Sequence, residues 1–334
     1  MRRGGLMLSG VALALLGAAG GAAGVHWALS PRTPGAAEVV FMVAPGASLG
    51  EIAGSLEREG LVRSAGAVEW IARLRGQSGA LRSGEYALSA AQSPSAILAH
   101  LASGRTLTYP VVLPEGFTTA QIGARLASEG LVDAESFARA VRDPALITSL
   151  GISAPSLEGY LFPETYFLPR GLAADEVARI LAEQFLAVWR EIEPLAAAQG
   201  LTQHEVVTLA SIVEKETGVS EERALVAGVF RNRLRRRMRL ESDPTVIYGI
   251  AGFDGNLRRS DLEDAANPYN TYRIAALPPG PIASPGEASL RAVVSPAPSS
   301  YLYFVARNDG THTFSSSYRE HSRAVERYQK KAAR

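Results

Sequence analysis

The chain opens on its most apolar stretch. Residues 6–29 carry no charged side chain and follow Met1-Arg2-Arg3. At the rise of a helix they are long enough to cross a bilayer core. Arginines ahead of such a stretch favour a short cytoplasmic N-terminus, residues 1–5, and an exported remainder. A cleaved signal peptide is the competing reading, since Ala22-Ala-Gly24 offers small residues at a plausible cut. The length of the stretch favours a retained anchor over residues 6–29. Residues 30–37, Ser30-Pro-Arg-Thr-Pro-Gly-Ala-Ala37, read as a linker.

Beyond the linker the pattern alternates between strand and helix periods and then repeats itself. Val43-Ala-Pro-Gly-Ala-Ser48, Ile52, Leu56 and Glu59-Gly-Leu-Val62 are echoed by Val112-Leu-Pro-Glu-Gly, Thr118, Ile122, Leu126 and Glu129-Gly-Leu-Val132. Each copy predicts a strand, a turn, an amphipathic helix and a glycine stop, with a capping box at Ser48/Glu51 and Thr118/Gln121. Gly84–Ser89 predicts a strand and 94–102 a short helix. The first domain is therefore expected over residues 38–150. It contains no evident acid pair, metal set or nucleophile, so a scaffold and a holder of a polymeric ligand are equally open roles.

Longer helices follow from about Leu172, in a second domain expected over residues 151–334. The periodicity predicts helices over 175–192, 202–217 and 220–237, and another after Ser284-Pro-Gly-Glu287, with proline at the first helical position of a capping box. It also predicts a strand at 301–305 and a charged helix from Ser317 onward. Between the third and fourth helices, residues 241–285 are rich in turn formers. A segment that long without periodicity points to a binding loop.

The 202–217 helix ends in Leu209-Ala-Ser-Ile-Val-Glu-Lys-Glu-Thr217. On a helical wheel Glu216 falls between Leu209 and Ile212, on the apolar side, whereas Lys215 points to the polar pole. Apolar neighbours, the negative helix end and the nearby Glu214 all disfavour a second anion there. A carboxyl group that keeps its proton near neutral pH is a candidate general acid. A solvated pair of acids at a helix end is the plainer alternative.

Composition narrows the chemistry. A formal net charge of +1 points to no polyanionic partner, and the absence of cysteine removes disulfides and thiolate chemistry. No phosphate loop, Gly-x-Ser-x-Gly elbow, His-Glu-x-x-His or Ser-x-x-Lys occurs. The histidines, His26, His100, His204, His312 and His321, lack ligand spacing, so neither a metal nor a cofactor is expected. The basic run Arg231–Arg239 lies beside Val226, Val229, Phe230 and Leu234 at helical spacing, which makes one face core and argues against a nucleic-acid patch. Carbohydrate fits better: Tyr269-Asn-Thr-Tyr272, Ser242-Asp-Pro-Thr-Val-Ile-Tyr248 and Leu277-Pro-Pro-Gly-Pro-Ile282 offer flat rings, hydroxyls, an amide, an acid and a stiff wall. Buried tyrosines and turn prolines explain each alone; their grouping after an acid-bearing helix is what points to sugar.

Several of these segments, in order, resemble the YceG-like (MltG) family of membrane-anchored endolytic murein transglycosylases. They are Leu157-Glu-Gly-Tyr-Leu-Phe-Pro-Glu-Thr-Tyr166, Ala210-Ser-Ile-Val-Glu-Lys-Glu-Thr217, Val229-Phe-Arg-Asn-Arg-Leu234, Met238–Gly249, Tyr269–Tyr272, Leu277–Pro281, Tyr301–Val305 and Gly310-Thr-His-Thr-Phe314. One departure is Glu241, where the family pattern more often carries Gln. The resemblance implies an α+β protein with an N-terminal transmembrane helix, a small LysM-like α+β domain and a larger mixed α/β catalytic domain. It implies Glu216 as the catalytic acid, and Glu214, Asn232, Asp243, Thr245, Tyr248, Tyr269, Asn270 and Tyr272 as candidates to bind substrate. The implied substrate is peptidoglycan, cut within glycan strands to leave a 1,6-anhydro-N-acetylmuramic end. The implied location is the inner membrane, single-pass, with the catalytic domain outside the cytoplasm beside peptidoglycan synthases. A hydrolytic muramidase using Glu216 with Asp243, and a non-enzymatic glycan-binding scaffold, are the alternatives.

Overall fold

The computed structural model describes residues 20–330, and the chain is a mixed α+β protein. Most of the expected anchor over residues 6–29 lies outside the described residues; residues 20–29 are helical. Among the described residues no helix is long and apolar enough to cross a membrane.

The chain divides into two units: Met1–Tyr109 with Phe167–Gly171, and Pro110–Tyr166 with Leu172–Arg334. In the first, β1 (Glu38–Val43) pairs antiparallel with β2 (Gly84–Ser89), placing Phe41 opposite Tyr86. The helices α1 (Leu49–Arg58), α2 (Ala65–Leu74) and α3 (Pro94–Ser103) bury Ile52, Leu56, Val68, Ile97, Leu98 and Leu101 with those rings. The Ser48/Glu51 capping box forms, satisfying amides that a helix start otherwise leaves open. Gly60, at φ 78°, turns the chain where a side chain would be strained.

The second copy of the echo builds β3 (Tyr109–Val112) and α4 (Thr119–Ser128), again with its capping box, Thr118 with Gln121. Two short helices follow, α5 (Ala134–Ala140) and α6 (Pro144–Ser149), each opened by an aspartate cap. Strand β4 (Thr165–Leu168) pairs with β3. The long α7 (Ala174–Ala197) buries Phe185, Trp189 and Ile192 on one face.

At the centre of the second unit stands α8 (Gln203–Glu216), started by the Thr202/Glu205 box. Every residue from Val206 to Val213 is buried, as expected of a helix enclosed on all sides. It packs against α7, α9 (Arg223–Arg235), α10 (Asp243–Tyr248) and α12 (Glu287–Val294). A short α11 (Arg259–Glu263) interrupts the turn-rich segment. Its far end is pinned to α8, because the Ser211 hydroxyl accepts the Ile282 amide at 3.0 Å. Gly159 (φ 82°) allows that approach: a Cβ there would stand 2.4 Å from Pro281.

Two starts differ from the sequence pattern. Residues Ser220–Glu222 form a tight turn before α9 rather than its first turn. Helix α12 begins at Glu287 with Gly286, not Ser284, at its cap position, and the Gly286 amide donates to the Glu214 carboxylate at 3.0 Å. The C-terminal part comprises β5 (Tyr303–Ala306) and β6 (His312–Ser315), paired antiparallel, and α13 (Tyr318–Val325), capped by Ser317.

Candidate active site

Glu216 is the last residue of α8. Thr217 leaves the helix in extended geometry (φ −142°, ψ 131°), and its hydroxyl accepts the Val219 amide at 3.0 Å. The chain therefore turns away immediately after the acid, and the carboxyl sits partly buried at the mouth of the core. A cavity of about 490 Å³ opens against it, with Arg233, Glu241, Asp243, Tyr272, Phe304, His312 and His321 among its walls. Burial pushes the Glu216 carboxyl up to about 7, the Asp243 charge adds to this, and the Ser242 hydroxyl, His312 and Arg233 pull the other way. Ser242 donates directly to Glu216 Oε1. The anion that matters is thus Asp243; Glu214 is turned toward the Gly286 amide (3.0 Å) and Arg223 (3.3 Å).

The loop carrying Ser242 and Asp243 is fastened from several directions. Glu241 adopts a left-handed conformation (φ 51°), a strain of about 1 kcal/mol for a residue with a Cβ. Its amide donates to Thr271 O at 3.2 Å, and the next amide, Ser242, donates to the Thr271 hydroxyl at 3.0 Å. Thr245 donates to Ser242 O (2.7 Å) and lies 2.8 Å from the Thr271 hydroxyl. Behind them Asn270, fully buried, donates to the carbonyls of Asp261, Leu262 and Asp264 and accepts the Tyr272 amide. Tyr272 then reaches Asp243, donating to Oδ1 at 2.7 Å. Burial and that carboxylate together push the Tyr272 phenol up, so it remains a donor.

The candidate residues therefore separate into groups. Glu216, Asp243 and Tyr272 share the cavity. Thr245 and Asn270 are buried supports of its loop. Asn232, also buried, donates to Ser299 O and Tyr301 O and holds the approach to β5. Tyr248 and Tyr269 meet edge-on at 4.8 Å, and Tyr248 donates to Glu158 at 3.2 Å. Glu158 is buried and accepts from the Thr119 amide (3.1 Å) and hydroxyl (2.9 Å); desolvation pushes its carboxyl up. Glu214 holds Arg223 and the start of α12.

Four residues of the site were not singled out by sequence reasoning. Ser242 lay within a quoted turn but was not given a role. Arg233 sits inside the basic run, yet it is buried: its guanidinium donates to Leu302 O (2.7 Å), Leu240 O (2.8 Å) and Glu241 (3.3 Å). His312 and Glu222 form a pair, with Nδ1 2.6 Å from one carboxylate oxygen and the His312 amide 2.8 Å from the other. Histidine spacing along the chain speaks to metal sites and carries no trace of an acid 90 residues away that orients the ring. Among the described residues no three His, Cys, Asp or Glu side chains cluster as a metal site requires.

The arrangement can give and retake one proton, with a fixed phenol and carboxylate lining the same cavity. A family model described as YceG-like family matches residues 41–327. A Bacillus subtilis protein named endolytic murein transglycosylase is 30% identical over 299 residues, covering 85% of this chain and 82% of its own. A protein of the same name from Streptococcus pneumoniae (D39) is 30% identical over 355 residues; the match covers 94% of this chain but only 63% of that longer one. The crystal structure of the yceG-like protein lmo1499 from Listeria monocytogenes superposes with a TM-score of 0.59 at 30% identity, over 86% of this chain and 99% of that one.

Proposed function

This chain belongs to the YceG-like family, and from that premise we propose that it is an endolytic murein transglycosylase with Glu216 as its catalytic acid and base. The observation that carries the reading is a single carboxylic acid, held protonated up to about pH 7, on the wall of a cavity of about 490 Å³. Glu216 donates its proton to the glycosidic oxygen between N-acetylmuramic acid and N-acetylglucosamine as the bond from C1 breaks. The resulting carboxylate then takes the proton of the muramic 6-hydroxyl as O6 bonds to C1. The products are a 1,6-anhydro end and a free 4-hydroxyl; no water is consumed, and Glu216 recovers its proton. An attacking group already tethered to the reacting carbon removes the entropic cost of recruiting water.

Asp243 favours this route over hydrolysis. A hydrolytic glycosidase needs a second carboxylate free to attack or to activate water. Here one Asp243 oxygen is engaged by the Tyr272 phenol. Asp243 and Tyr272 would instead stabilise positive charge developing on the muramic ring and orient its substituents. A hydrolytic muramidase, with Asp243 activating water, is the second reading. A non-enzymatic glycan-binding scaffold is the third.

In the same reading, residues 6–29 anchor the chain in the inner membrane and the remainder works outside the cytoplasm on glycan strands beside peptidoglycan synthases, ending their elongation. Residues 38–150 act as a LysM-like glycan-holding domain ahead of the catalytic residues 151–334. The uncharged N-terminal stretch, the arginines before it and the echoed strand–helix units support these assignments. The test is digestion of purified peptidoglycan by the chain and by Glu216→Gln. Release of soluble glycan by the former and none by the latter is expected. Equal release removes Glu216 from the mechanism, and no release by either favours the scaffold.

A further inference from the structure

The cavity that holds the acid is also lined by a histidine, paired with a carboxylate, that the reaction above does not use. Glu222 lies in the turn six residues beyond Glu216, so the segment that ends the catalytic helix also delivers this second carboxylate. It grips His312 through two bonds, to the ring Nδ1 and to the backbone amide. A carboxylate accepts, so Nδ1 carries a hydrogen whether the ring is neutral or protonated, and Nε2 is the remaining polar atom. Phe304 meets the ring edge-on at 5.4 Å and fixes its plane. The ring lines the same cavity as Glu216, and both side chains of the pair are nearly buried, 13% and 12% exposed. A histidine gripped this way on a cleft wall is built to hold an imidazole in one place.

We propose that the Glu222–His312 pair is a positioning and charge-compensating device for Glu216: its imidazolium faces the catalytic carboxyl and stabilises the anion left when the proton moves to the glycosidic oxygen. The inference deepens the transglycosylase reading and rests on it for its catalytic meaning. The need is physical. When Glu216 gives up its proton, a carboxylate appears where burial and the Asp243 charge both oppose it. The Ser242 hydroxyl supplies one hydrogen bond. Arg233 is committed to the carbonyls of Leu302 and Leu240 and to Glu241. Glu241 and Tyr272 add no positive charge, and burial beside Arg233 drives the remaining ring, His321, toward its neutral form. His312, once protonated, is a cation in the cavity lining whose own counter-ion, Glu222, is not part of that lining. An imidazolium there also lowers the Glu216 midpoint toward working pH, which keeps the acid able to act in both directions.

The experiment compares the full chain with His312→Gln by pH–rate profile on purified peptidoglycan, and by urea unfolding against pH without glycan. Loss of the cation is expected to move the basic limb of the profile up by on the order of half a pH unit and to lower kcat about tenfold with KM nearly unchanged. It also raises the upper edge of the pH window over which Glu216 destabilises the fold by the same amount, the lower edge being set by the unfolded chain. A ring that merely packs would lower stability without moving either window. Reciprocity supplies a variant that leaves His312 in place: in Glu216→Gln the His312 ring resonances should titrate at lower pH than in the parent. An unmoved basic limb and unmoved resonances overturn the inference even if peptidoglycan is cleaved. If the parent leaves peptidoglycan intact, the transglycosylase reading fails, while the unfolding and resonance arms still decide whether the pair controls Glu216.

Discussion

Replacing Glu216 with Gln should stabilise the protein, and only at the upper end of the pH range. The folded carboxyl titrates at about 7 against an ordinary 4.5. That gap corresponds to about 3.4 kcal/mol at 1.36 kcal/mol per unit. One edge of the group opens to the cavity, so solvent screening lowers the expected figure to about 2–3 kcal/mol. The sign follows from proton counting. Between pH 4.5 and 7 the folded state binds more protons at this site than the unfolded chain, so stability falls as pH rises through that window. The penalty is absent below it and complete above it. Glutamine keeps the shape and can still accept from Ser242, but has no proton to lose. Parent and variant should therefore unfold alike in urea at pH 4, and the variant should be about 2–3 kcal/mol more stable at pH 8. For a domain of 150–250 residues that is roughly 4–12 °C in Tm. A difference that stays flat with pH would show an ordinary carboxyl at Glu216 and refute the argument for a protonated acid.

Other outcomes follow from the same geometry. Ser242→Ala removes a donor that favours the Glu216 anion, so the basic limb of the pH–rate profile should move upward and kcat should fall about tenfold or more. Tyr272→Phe frees Asp243 Oδ1, and mass analysis of the digest should then find a larger share of hydrolysed muramic ends; an unchanged ratio would remove Tyr272 from that control. Asn270→Ala leaves three α11-region carbonyls without their donor. A loss of about 2–4 kcal/mol in unfolding free energy is expected, with activity falling alongside as the Ser242–Asp243 loop loosens.

Local rules account for what the sequence revealed. Capping boxes at Ser48 and Thr118 start helices because they act within four residues. The apolar placement of Glu216 was visible for a similar reason, since helical period alone sets it beside Leu209 and Ile212. What stayed hidden depends on contacts distant in sequence. Helix α12 starts from Gly286 rather than Ser284, and the Gly286 amide is held by Glu214, 72 residues away. Arg233 reads as one of a solvated run until the carbonyls of Leu240 and Leu302 are folded against it. Polar residues in the turn-rich segment read as sugar contacts, yet Thr245 and Asn270 spend their hydrogen bonds on the backbone. Irregular chain near a cleft must satisfy its amides and carbonyls with side chains, and sequence does not distinguish that duty from ligand binding. The His312–Glu222 pair spans 90 residues and has no local signature at all.

The central claim is that one acid, Glu216, passes a proton out and takes one back with no water entering the reaction. Digestion of purified peptidoglycan in ¹⁸O-labelled water, with mass analysis of the new muramic ends, tests it most directly. Ends one water lighter than a reducing sugar, free of label, and absent with Glu216→Gln are the predicted result. Full-mass ends carrying the label would contradict it, and would assign the attack to a water activated by Asp243.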